Sequence, residues 1–500
     1  MPAPCCSARS TGRASPAFSV AVGPRHRRRA TTRRPDPMKF DPGSFRDPSG
    51  RILVADGRIF RAVFGAGLDN FEGARTAGVY TKAIARGRLV PMEEREPGLA
   101  GEGAQRPYYL LEHPPIDFIS YPYEWTFSAL KAAALLHLDF HLELLADGFT
   151  LSDATAYNIQ FNGTRPTFID HLSVVHYADG SPWTGQRQFA MQFLNPLLLW
   201  TKRGLAPNAW FRGSGEGLAP EDVAPLMRVR DKLSFTVLAH VIGPSMVHKR
   251  RIAQGLDDKA PRAVTLPKKN LVAILTTLRS YIAGLDLPGQ KTIWSDYAGC
   301  NSYGEAQRAA KHDFVARQIA TLKPDLLFDL GCNSGDFSRT ALDSGARSVV
   351  GFDFDFGALE HAFARFDADG GRVLPLWLDA TNPSPSQGWA GAERKSLGDR
   401  GGADALLALA IIHHLAIARN VPLDMAVDWL MGMAPAGVIE FPSKGDPMVT
   451  ELLRGRPDIF PDYSEEAFLA HVSARGAITE KRRLGEGGRL MVAYDRRHRG

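Results

Sequence analysis

From residue 305 onward the chain alternates apolar segments with amphipathic ones, and this alternation constrains the fold more than any other feature. The amphipathic segments have helical periodicity, and the apolar runs have the length of buried strands. Strands that alternate with helices form a parallel sheet covered on both faces. We therefore predict a doubly wound α/β sheet with ligands bound beyond the carboxyl ends of its strands. The predicted strands are LLFDLG (326–331), SVVGFDF (348–354), VLPLWLD (373–379), ADALLALAII (403–412) and GVIEF (437–441).

The first of these strands runs into a glycine-containing turn in LLFDLGCNSGDFS, residues 326–338. A dinucleotide-binding loop requires G-x-G-x-x-G, in which the glycines allow a tight turn, close approach to the pyrophosphate and close helix packing. Here Gly331 and Gly335 are present, Asn333 stands between them, and no third glycine follows at the required place. The glycine spacing alone therefore does not identify the ligand.

Three acidic residues near strand ends are more specific than the glycines: Asp329, Asp353 and Asp379. Together with the turn they resemble the class I S-adenosylmethionine-dependent methyltransferases, over roughly residues 290–500. The resemblance implies a Rossmann-like fold and S-adenosylmethionine as cofactor. It also implies that Asp329 and the turn at 331–335 face the methionine part, that Asp353 binds the ribose hydroxyls, and that Asp379 meets the adenine amine. A carboxylate suits a ribose diol because it can accept both hydroxyl hydrogens.

Two residues near the turn depart from the simplest pattern. Asn333 occupies a position where the family usually has glycine, and Asn tolerates a positive φ better than most residues do. Asp355 is a second candidate for the ribose role, although its position favours a cap of the following helix. We assign the ribose role to Asp353 because VVGFD matches a strand that ends on the acid.

Candidate acceptor-site residues follow the fourth and fifth predicted strands. His413 and His414 end the fourth, and a histidine there could remove a proton from the methyl acceptor. If the backbone is extended, one of the two must point away from the pocket. The alternative role for either is a hydrogen bond at the strand end. The segment VIEFPSKGDP ends the fifth strand in a similar way, which makes Glu440, Lys444 and Asp446 weaker candidates.

An aromatic segment precedes the sheet and contains Trp294, Tyr297 and Tyr303. Related methyltransferases often use such a segment as a lid, so Tyr303 is included among the candidate cofactor-binding residues. Packing in the core is the competing explanation for these aromatic side chains.

The first half contains a second candidate site, in LSDATAYNIQFNGTRPTFIDHLS. The spacing of Asp153, Asn158 and Asp170 resembles protein kinases and aminoglycoside phosphotransferases, which implies a base at Asp153 and magnesium ligands at Asn158 and Asp170. No His-Arg precedes Asp153, no Asp-Phe-Gly follows, and Lys82 is only a tentative counterpart of the strand lysine. The alternative is a hairpin whose polar side chains cap its turn.

The local patterns of the first half predict a hairpin at 51–64, a helix at 125–145 and two short strands joined by NGTR. We divide the chain into a tail at 1–37, an α+β accessory domain at 38–285 that faintly resembles kinases, and a methyltransferase domain at 286–500. The whole layout is similar to a group of bacterial proteins that includes nodulation proteins. That similarity implies a small-molecule, carbohydrate or glycolipid acceptor.

The net charge of +6 comes from the tail, since residues 1–37 carry eight Arg and one acid and the remainder carries 52 basic and 53 acidic groups. This distribution does not favour a nucleic-acid partner. The tail resembles a transit peptide, or translation starts at Met38. No apolar run reaches the ~18 residues of a membrane span, and no Cys/His spacing indicates a metal site. We expect a cytoplasmic enzyme, with a phosphotransferase and a non-catalytic cofactor-fold scaffold as alternatives.

Overall fold

The structure, a computed structural model, describes residues 38–497 apart from gaps at 101–105, 255–264, 288–303, 456 and 486–487. It begins with an antiparallel sheet of strand order β1-β2-β3-β5-β4. The predicted hairpin at 51–64 is confirmed, since β2 and β3 pair across a turn in which Asp56 and Gly57 both have positive φ. The elements are β1 (Lys39–Phe40), β2 (Gly50–Ala55), β3 (Arg58–Val63), α1 (Gly65–Thr76), α2 (Val79–Ala85), β4 (Glu93–Arg95) and β5 (Tyr109–His113).

A long buried helix follows, α3 (Phe127–Ala146), as the Ala- and Leu-rich sequence predicts. The Thr126 side chain caps it by accepting the Ala129 N–H at 3.1 Å, which satisfies one of the free donors of the first turn. Two short antiparallel pairs come next, β6 with β9 and β7 with β8. The second pair confirms the hairpin predicted around NGTR. These strands are β6 (Phe149–Leu151), β7 (Ile159–Asn162), β8 (Arg165–Phe168) and β9 (Val174–His176).

Helices occupy the rest of the first half, which we call the N-terminal half (38–287). Among them, α5 and α11 pack on α3. A π-helical turn at Leu238–Ile242 joins α9 to α10 in one continuous helical stretch. The helices are α4 (Gln186–Phe189), α5 (Asn195–Arg203), α6 (Asn208–Gly213), α7 (Pro220–Val223), α8 (Val229–Lys232), α9 (Phe235–Val237), α10 (Gly243–Ala253) and α11 (Lys268–Ala283).

The C-terminal half (304–497) is built on a Rossmann-like sheet, which confirms the predicted fold class for this part. The strand order is β12-β11-β10-β13-β14-β16-β15, and the strands from β12 to β14 are parallel. Strands β16 and β15 add antiparallel to the edge, and the sequence reading did not foresee them. The elements are α12 (Glu305–Leu322), β10 (Leu326–Leu330), α13 (Asp336–Asp343), β11 (Ser348–Asp353), α14 (Phe356–Ala368), β12 (Val373–Trp377), β13 (Ala405–Ala408), α15 (Leu423–Gly432), β14 (Ala436–Pro442), α16 (Pro447–Leu453), α17 (Glu465–Arg475), β15 (Ala477–Leu484) and β16 (Arg489–Asp495).

The order of the parallel strands reverses between β10 and β13. Strands β11 and β12 are added on one side of β10, and the chain then crosses to the other side, where it forms β13 and β14. In open α/β sheets, ligands bind at such a switch point, beyond the carboxyl ends of the strands. The fourth predicted strand was too long, because β13 ends at Ala408 instead of Ile412. This shortening changes the geometry of the residues that follow.

Side chains alternate between the two faces of the sheet, and different parts of the chain cover each face. One face, with Leu327 and Val349, packs against α12, α13 and α14. The other face includes Phe328 and Phe352, and the N-terminal half covers part of it. Phe118 makes edge contacts with both of these rings, at centroid distances of 5.4 and 5.7 Å. One hydrophobic core therefore runs through both halves.

Polar contacts also join the two halves. The Arg400 guanidinium forms a two-pronged ion pair with Glu124, with donor–acceptor distances of 2.7 and 2.5 Å, and both side chains are almost fully buried. The backbone of Gly163 approaches Gly371 so closely that a Cβ at position 163 would collide with the Gly371 carbonyl. In the part of the chain that the structure describes, no helix has the length and apolar character needed to cross a bilayer.

Candidate active site

The turn after β10 has a backbone conformation that explains its residue types. Gly331, Asn333 and Gly335 have φ values of 77°, 50° and 82°, so all three lie in the left-handed region. Asn333 therefore adopts the positive φ expected of it. A Cβ on Gly335 would come within 2.4 Å of the Phe366 ring on α14. A glycine at this position therefore allows the turn to pack closely against α14.

Asp353 ties the turn to the end of β11. One oxygen of its carboxylate accepts the Asn333 N–H at 2.8 Å, and the other accepts the Asp355 N–H at 2.9 Å. Burial raises the pKa of this carboxyl above its usual range, although these N–H donors oppose the shift. A carboxylate has about four acceptor positions, so each oxygen keeps capacity for another donor. Asp355 accepts the Ala358 N–H at 3.0 Å and caps α14, as its position in the sequence suggested.

Asp329 lies in β10, two residues before the turn begins at Gly331. Its side chain is buried, and Oδ2 accepts a hydrogen bond from the Ser338 hydroxyl at 2.6 Å. Oδ1 is buried without a hydrogen-bond partner in the described structure, and burial raises the pKa to about 6. The hydrogen bond joins β10 to α13, which contains Ser338, and Asp329 is not among the residues that line the cavity at the strand ends. Ser338 is a supporting residue that the sequence reading missed.

A cavity of ≈ 390 Å³ opens beyond the ends of β10, β11, β12 and β13. Its lining includes four of the candidate cofactor residues, namely Gly331, Asn333, Asp353 and Asp379. Asp379 is partly exposed, and its Oδ1 accepts both the backbone N–H and the hydroxyl of Thr381, at 3.0 and 2.7 Å. The turn and two acidic side chains that are distant in sequence thus surround one space at the strand switch point.

The two histidines occupy different places. Because β13 ends at Ala408, the backbone at His413 is helical (φ −70°, ψ −28°), and a π-helical turn follows from His414 to Ala418. His414 lines the cavity, whereas His413 is buried and does not. The two rings pack with centroids 4.2 Å apart. The sequence argument excluded one histidine from the pocket only on the condition of an extended backbone, and the backbone at His413 is helical instead.

Both histidines are held neutral. Burial, with the neighbouring His414 adding to it, lowers the pKa of His413 to about 3. Burial also lowers the pKa of His414, and the positive charge of Arg489 contributes in the same direction. A neutral imidazole that faces the cavity can accept a proton. Of the two, His414 is therefore the one whose position suits a base.

Two of the three weaker candidates, Glu440 in β14 and Asp446 after it, belong to a separate buried ion network. Glu440 is fully buried and pairs with Lys311 at 2.7 Å and with Arg489 at 3.2 Å. Arg489 also pairs with Asp446, which caps α16 by accepting the Met448 N–H at 2.9 Å. None of these lines the cavity, and neither does Lys444, which pairs with Asp458 at the surface. Tyr303, with Trp294 and Tyr297, lies outside the described residues.

A second polar cluster lies in the N-terminal half, where the structure brings Asp153, Asn158 and Asp170 together. The Asn158 amide donates to Asp153 at 3.2 Å, and the Ser173 hydroxyl lies 3.1 Å from Asp153 and 2.6 Å from Asp170. Burial, and then the Asp170 charge, raises the pKa of Asp153 to about 6. The polar residues thus form one connected network.

The cation of this second cluster is Arg61 on β3, which pairs with Asp170 at 2.8 Å. Lys82, the tentative candidate, pairs instead with Asp147 at the surface. The sequence feature that could have indicated Arg61 is its position as a basic residue in β3, the strand immediately before α1. Among the described residues, no group of three or more His, Cys, Asp or Glu side chains is arranged to hold a metal ion.

Solved methyltransferase structures are similar to part of this chain. No protein-family model matches. The N-methyltransferase NodS of Bradyrhizobium japonicum WM9, solved with S-adenosyl-L-homocysteine, is 10% identical over 41% of this chain and 98% of NodS, with a TM-score of 0.30. The magnesium protoporphyrin IX methyltransferase of Synechocystis PCC 6803, solved with S-adenosylmethionine, is 14% identical over 42% of this chain and 86% of that protein, with a TM-score of 0.28.

The nodulation protein NoeA of Rhizobium meliloti (strain 1021) is 45% identical to this chain over 456 residues, which are 91% of this chain and 95% of NoeA. An identity of this size over nearly the full length of both proteins leaves no large part of either chain unmatched. The chain therefore belongs to the family of the nodulation protein NoeA.

Proposed function

We propose that this protein is an S-adenosylmethionine-dependent methyltransferase whose cofactor binds in the cavity beyond β10, β11 and β12. The observation that carries the proposal is the meeting of the glycine turn with Asp353 and Asp379 around one cavity at the strand switch point. The volume of ≈ 390 Å³ lies within the range of small-molecule sites.

Each part of the cavity suits one part of the cofactor. Asp353 keeps acceptor capacity for the two ribose hydroxyls, and Asp379 keeps it for the adenine amine. The side-chain-free Gly331 leaves room for the amino-acid part, while the hydrogen bond from Ser338 to Asp329 joins α13, which follows the turn, to β10, which precedes it. The cofactor supplies a methyl group on a sulfonium, so the protein must chiefly align the acceptor and remove its proton.

His414 is the candidate base of the reaction. It lines the cavity, and because its pKa is lowered, its imidazole is mostly neutral near physiological pH. His413 packs against it and acts as a positioning residue, since its own ring is outside the cavity.

The cofactor proposal is tested by calorimetric titration of S-adenosyl-L-homocysteine into the full chain. Asp353→Asn keeps the shape and one acceptor but removes the charge, so we expect affinity to fall about 10- to 100-fold, the loss of a charge-assisted hydrogen-bond pair. Asp343→Asn, at an exposed position on α13, is the matched control and should bind as the wild type does. Absence of any binding to the wild type would favour the alternative of a non-catalytic scaffold.

We further propose that the N-terminal half recognises the acceptor, a small molecule or glycan. Its direct packing on the sheet supports this assignment, because Phe118 contacts Phe328 and Phe352 of the sheet that carries the cofactor cavity. Incubating the full chain with methyl-labelled S-adenosylmethionine and cell extract, then fractionating the extract, identifies the acceptor class. Label confined to polypeptide would contradict a small-molecule or glycan acceptor.

The polar cluster of Asp153, Asn158 and Asp170 supports a second candidate, a kinase-like N-terminal domain that retains phosphotransfer. The ion pair of Arg61 with Asp170 opposes it, because a guanidinium occupies the carboxylate that would hold magnesium. Thermal-shift titration with magnesium and ATP tests the candidate. Magnesium-dependent stabilisation that Asp170→Ala abolishes would support phosphotransfer, and no stabilisation of the wild type would remove it.

A further inference from the structure

An unusual surface lies on the N-terminal half at residues 228–254, which we call the basic apolar surface. Large apolar side chains project into solvent here: Val229 is 79% exposed, Leu233 82% and Phe235 72%. Further along the same stretch Met246 and Ile252 are 51% and 65% exposed. Contiguous exposed apolar side chains on a soluble protein mark a site of protein or membrane contact.

The exposed side chains follow the geometry of a helix that lies on a surface. From α9 through the π-helical turn to α10 the chain is one helical stretch, and Val237 and Val241 on its inner side are fully buried. Phe235 and Leu238, three residues apart, share the outer side. The inner side anchors the stretch to the protein, so its apolar outer side is held in place and available for contact.

The exposed charges within 228–254 are of one sign, while the neighbouring α7, which packs against α10, carries Glu221 and the exposed Asp222. Exposed basic side chains lie among the apolar ones near both ends of the segment, with Arg228 and Arg230 on either side of Val229 and with Lys249 and Arg250 before Ile252. Within 228–254, all of which the structure describes, the one acidic residue is Asp231, and it is buried with its carboxylate accepting the Arg228 N–H. The partner therefore carries negative charge beside apolar groups.

We propose that the basic apolar surface binds the surface of a bilayer that contains anionic phospholipids. Apolar side chains enter the boundary between headgroups and acyl chains, and Lys and Arg extend their charges to lipid phosphates. Protein interfaces fit this pattern less well, since their buried centres are depleted in Lys and other charged residues. The binding is peripheral and is separate from the cofactor cavity.

The test is co-sedimentation of the full chain with vesicles of phosphatidylcholine alone and with about 30% phosphatidylglycerol. We expect binding to the anionic vesicles at least about tenfold tighter than to the neutral ones, and weaker binding at about 0.5 M salt because exposed charges are screened. Equal binding to both kinds of vesicle, or no binding to either, would overturn the proposal.

Two paired variants separate the parts of the surface. Lys249→Glu with Arg250→Glu reverses charge, and Phe235→Ser with Leu238→Ser removes apolar contact, so each should reduce binding about tenfold or more. The matched control, Lys323→Glu with Lys481→Glu, makes the same charge change at exposed positions of the C-terminal half and should bind as the wild type does. Each variant is first checked for unchanged affinity for S-adenosyl-L-homocysteine and unchanged melting temperature.

Sedimentation velocity distinguishes a lipid surface from a second copy of the chain. A monomer that binds anionic vesicles through this surface supports the proposal. A dimer that Phe235→Ser with Leu238→Ser dissociates would show that another copy covers the surface, and would overturn it. Loss of binding in the control variant as well would show that net charge alone governs the attraction, and would also overturn it.

Discussion

The buried ion pair between Arg400 and Glu124 yields the sharpest prediction about stability, because it joins the two halves. The Arg400 and Glu124 side chains are 1% and 4% exposed. Glu124 also accepts the Ser384 hydroxyl at 2.7 Å and the Tyr121 N–H at 3.0 Å. The guanidinium lies over the rings of Phe118 and Tyr121, at 4.7 and 4.8 Å. Every charged atom of the pair is therefore compensated within the protein.

Removing one partner leaves the other charge buried without its counterion. We expect Arg400→Met or Glu124→Gln to lower the free energy of unfolding by about 3–5 kcal/mol. In the double variant no charge remains, the Gln keeps the Ser384 and Tyr121 contacts, and the Met fills space beside two aromatic rings. The double variant should therefore lose less than the sum of the singles, with a coupling energy of about 2 kcal/mol or more.

Urea unfolding measures these differences from the shift in midpoint at a common slope. Far-ultraviolet circular dichroism and tryptophan fluorescence should give coincident transitions, because the two halves share one core. Arg454→Met breaks an exposed pair with Glu451 and is the control, with an expected cost of about 0–1 kcal/mol. A cost for Arg400→Met as small as that of the control, or an additive double variant, would refute the reasoning.

Three further predictions concern the turn, the base and a buried histidine. Gly335→Ala should cost about 1–3 kcal/mol more unfolding free energy in urea than Gly345→Ala, because both have positive φ but only position 335 meets a ring. His414→Gln should slow label transfer about 10²- to 10⁴-fold with unchanged affinity for S-adenosyl-L-homocysteine, and weaker cofactor binding would argue against a base. Burial lowers the pKa of His137 in the folded protein. Below about pH 6.5 His137 is therefore protonated in the unfolded chain but stays neutral in the folded protein. Wild type should therefore lose about 1.4 kcal/mol more stability per pH unit than His137→Leu as pH falls from 6.5, and parallel pH profiles would contradict this.

The parts of the fold that follow from local pattern were predictable from the sequence. The helix at 305–322 and the strands before and after the turn depend on periodicity, and the structure has them where the pattern indicates. The positive φ of Asn333 also followed from the chemistry of one residue type. Propensity and period act over a few residues, so short-range features of this kind are the ones a single sequence determines.

Features that depend on distant contacts could not be predicted. Arg61 pairs with Asp170 across 109 positions of sequence, and no local pattern links the two. The end of β13 at Ala408 decides that His414, and not His413, lines the cavity, because the chain turns before the histidines. The hydrogen bond from the Ser338 hydroxyl to Asp329 joins β10 to α13, and no local pattern indicated this pairing.

The insertion of Phe118 over β10 and β11 has a practical consequence for anyone working with fragments. A fragment that begins near residue 304 lacks Phe118. Its sheet would therefore expose Phe328 and Phe352 to water. Such a fragment should precipitate or require detergent. The two halves should therefore be expressed together in one polypeptide, and we expect homologous proteins to retain both.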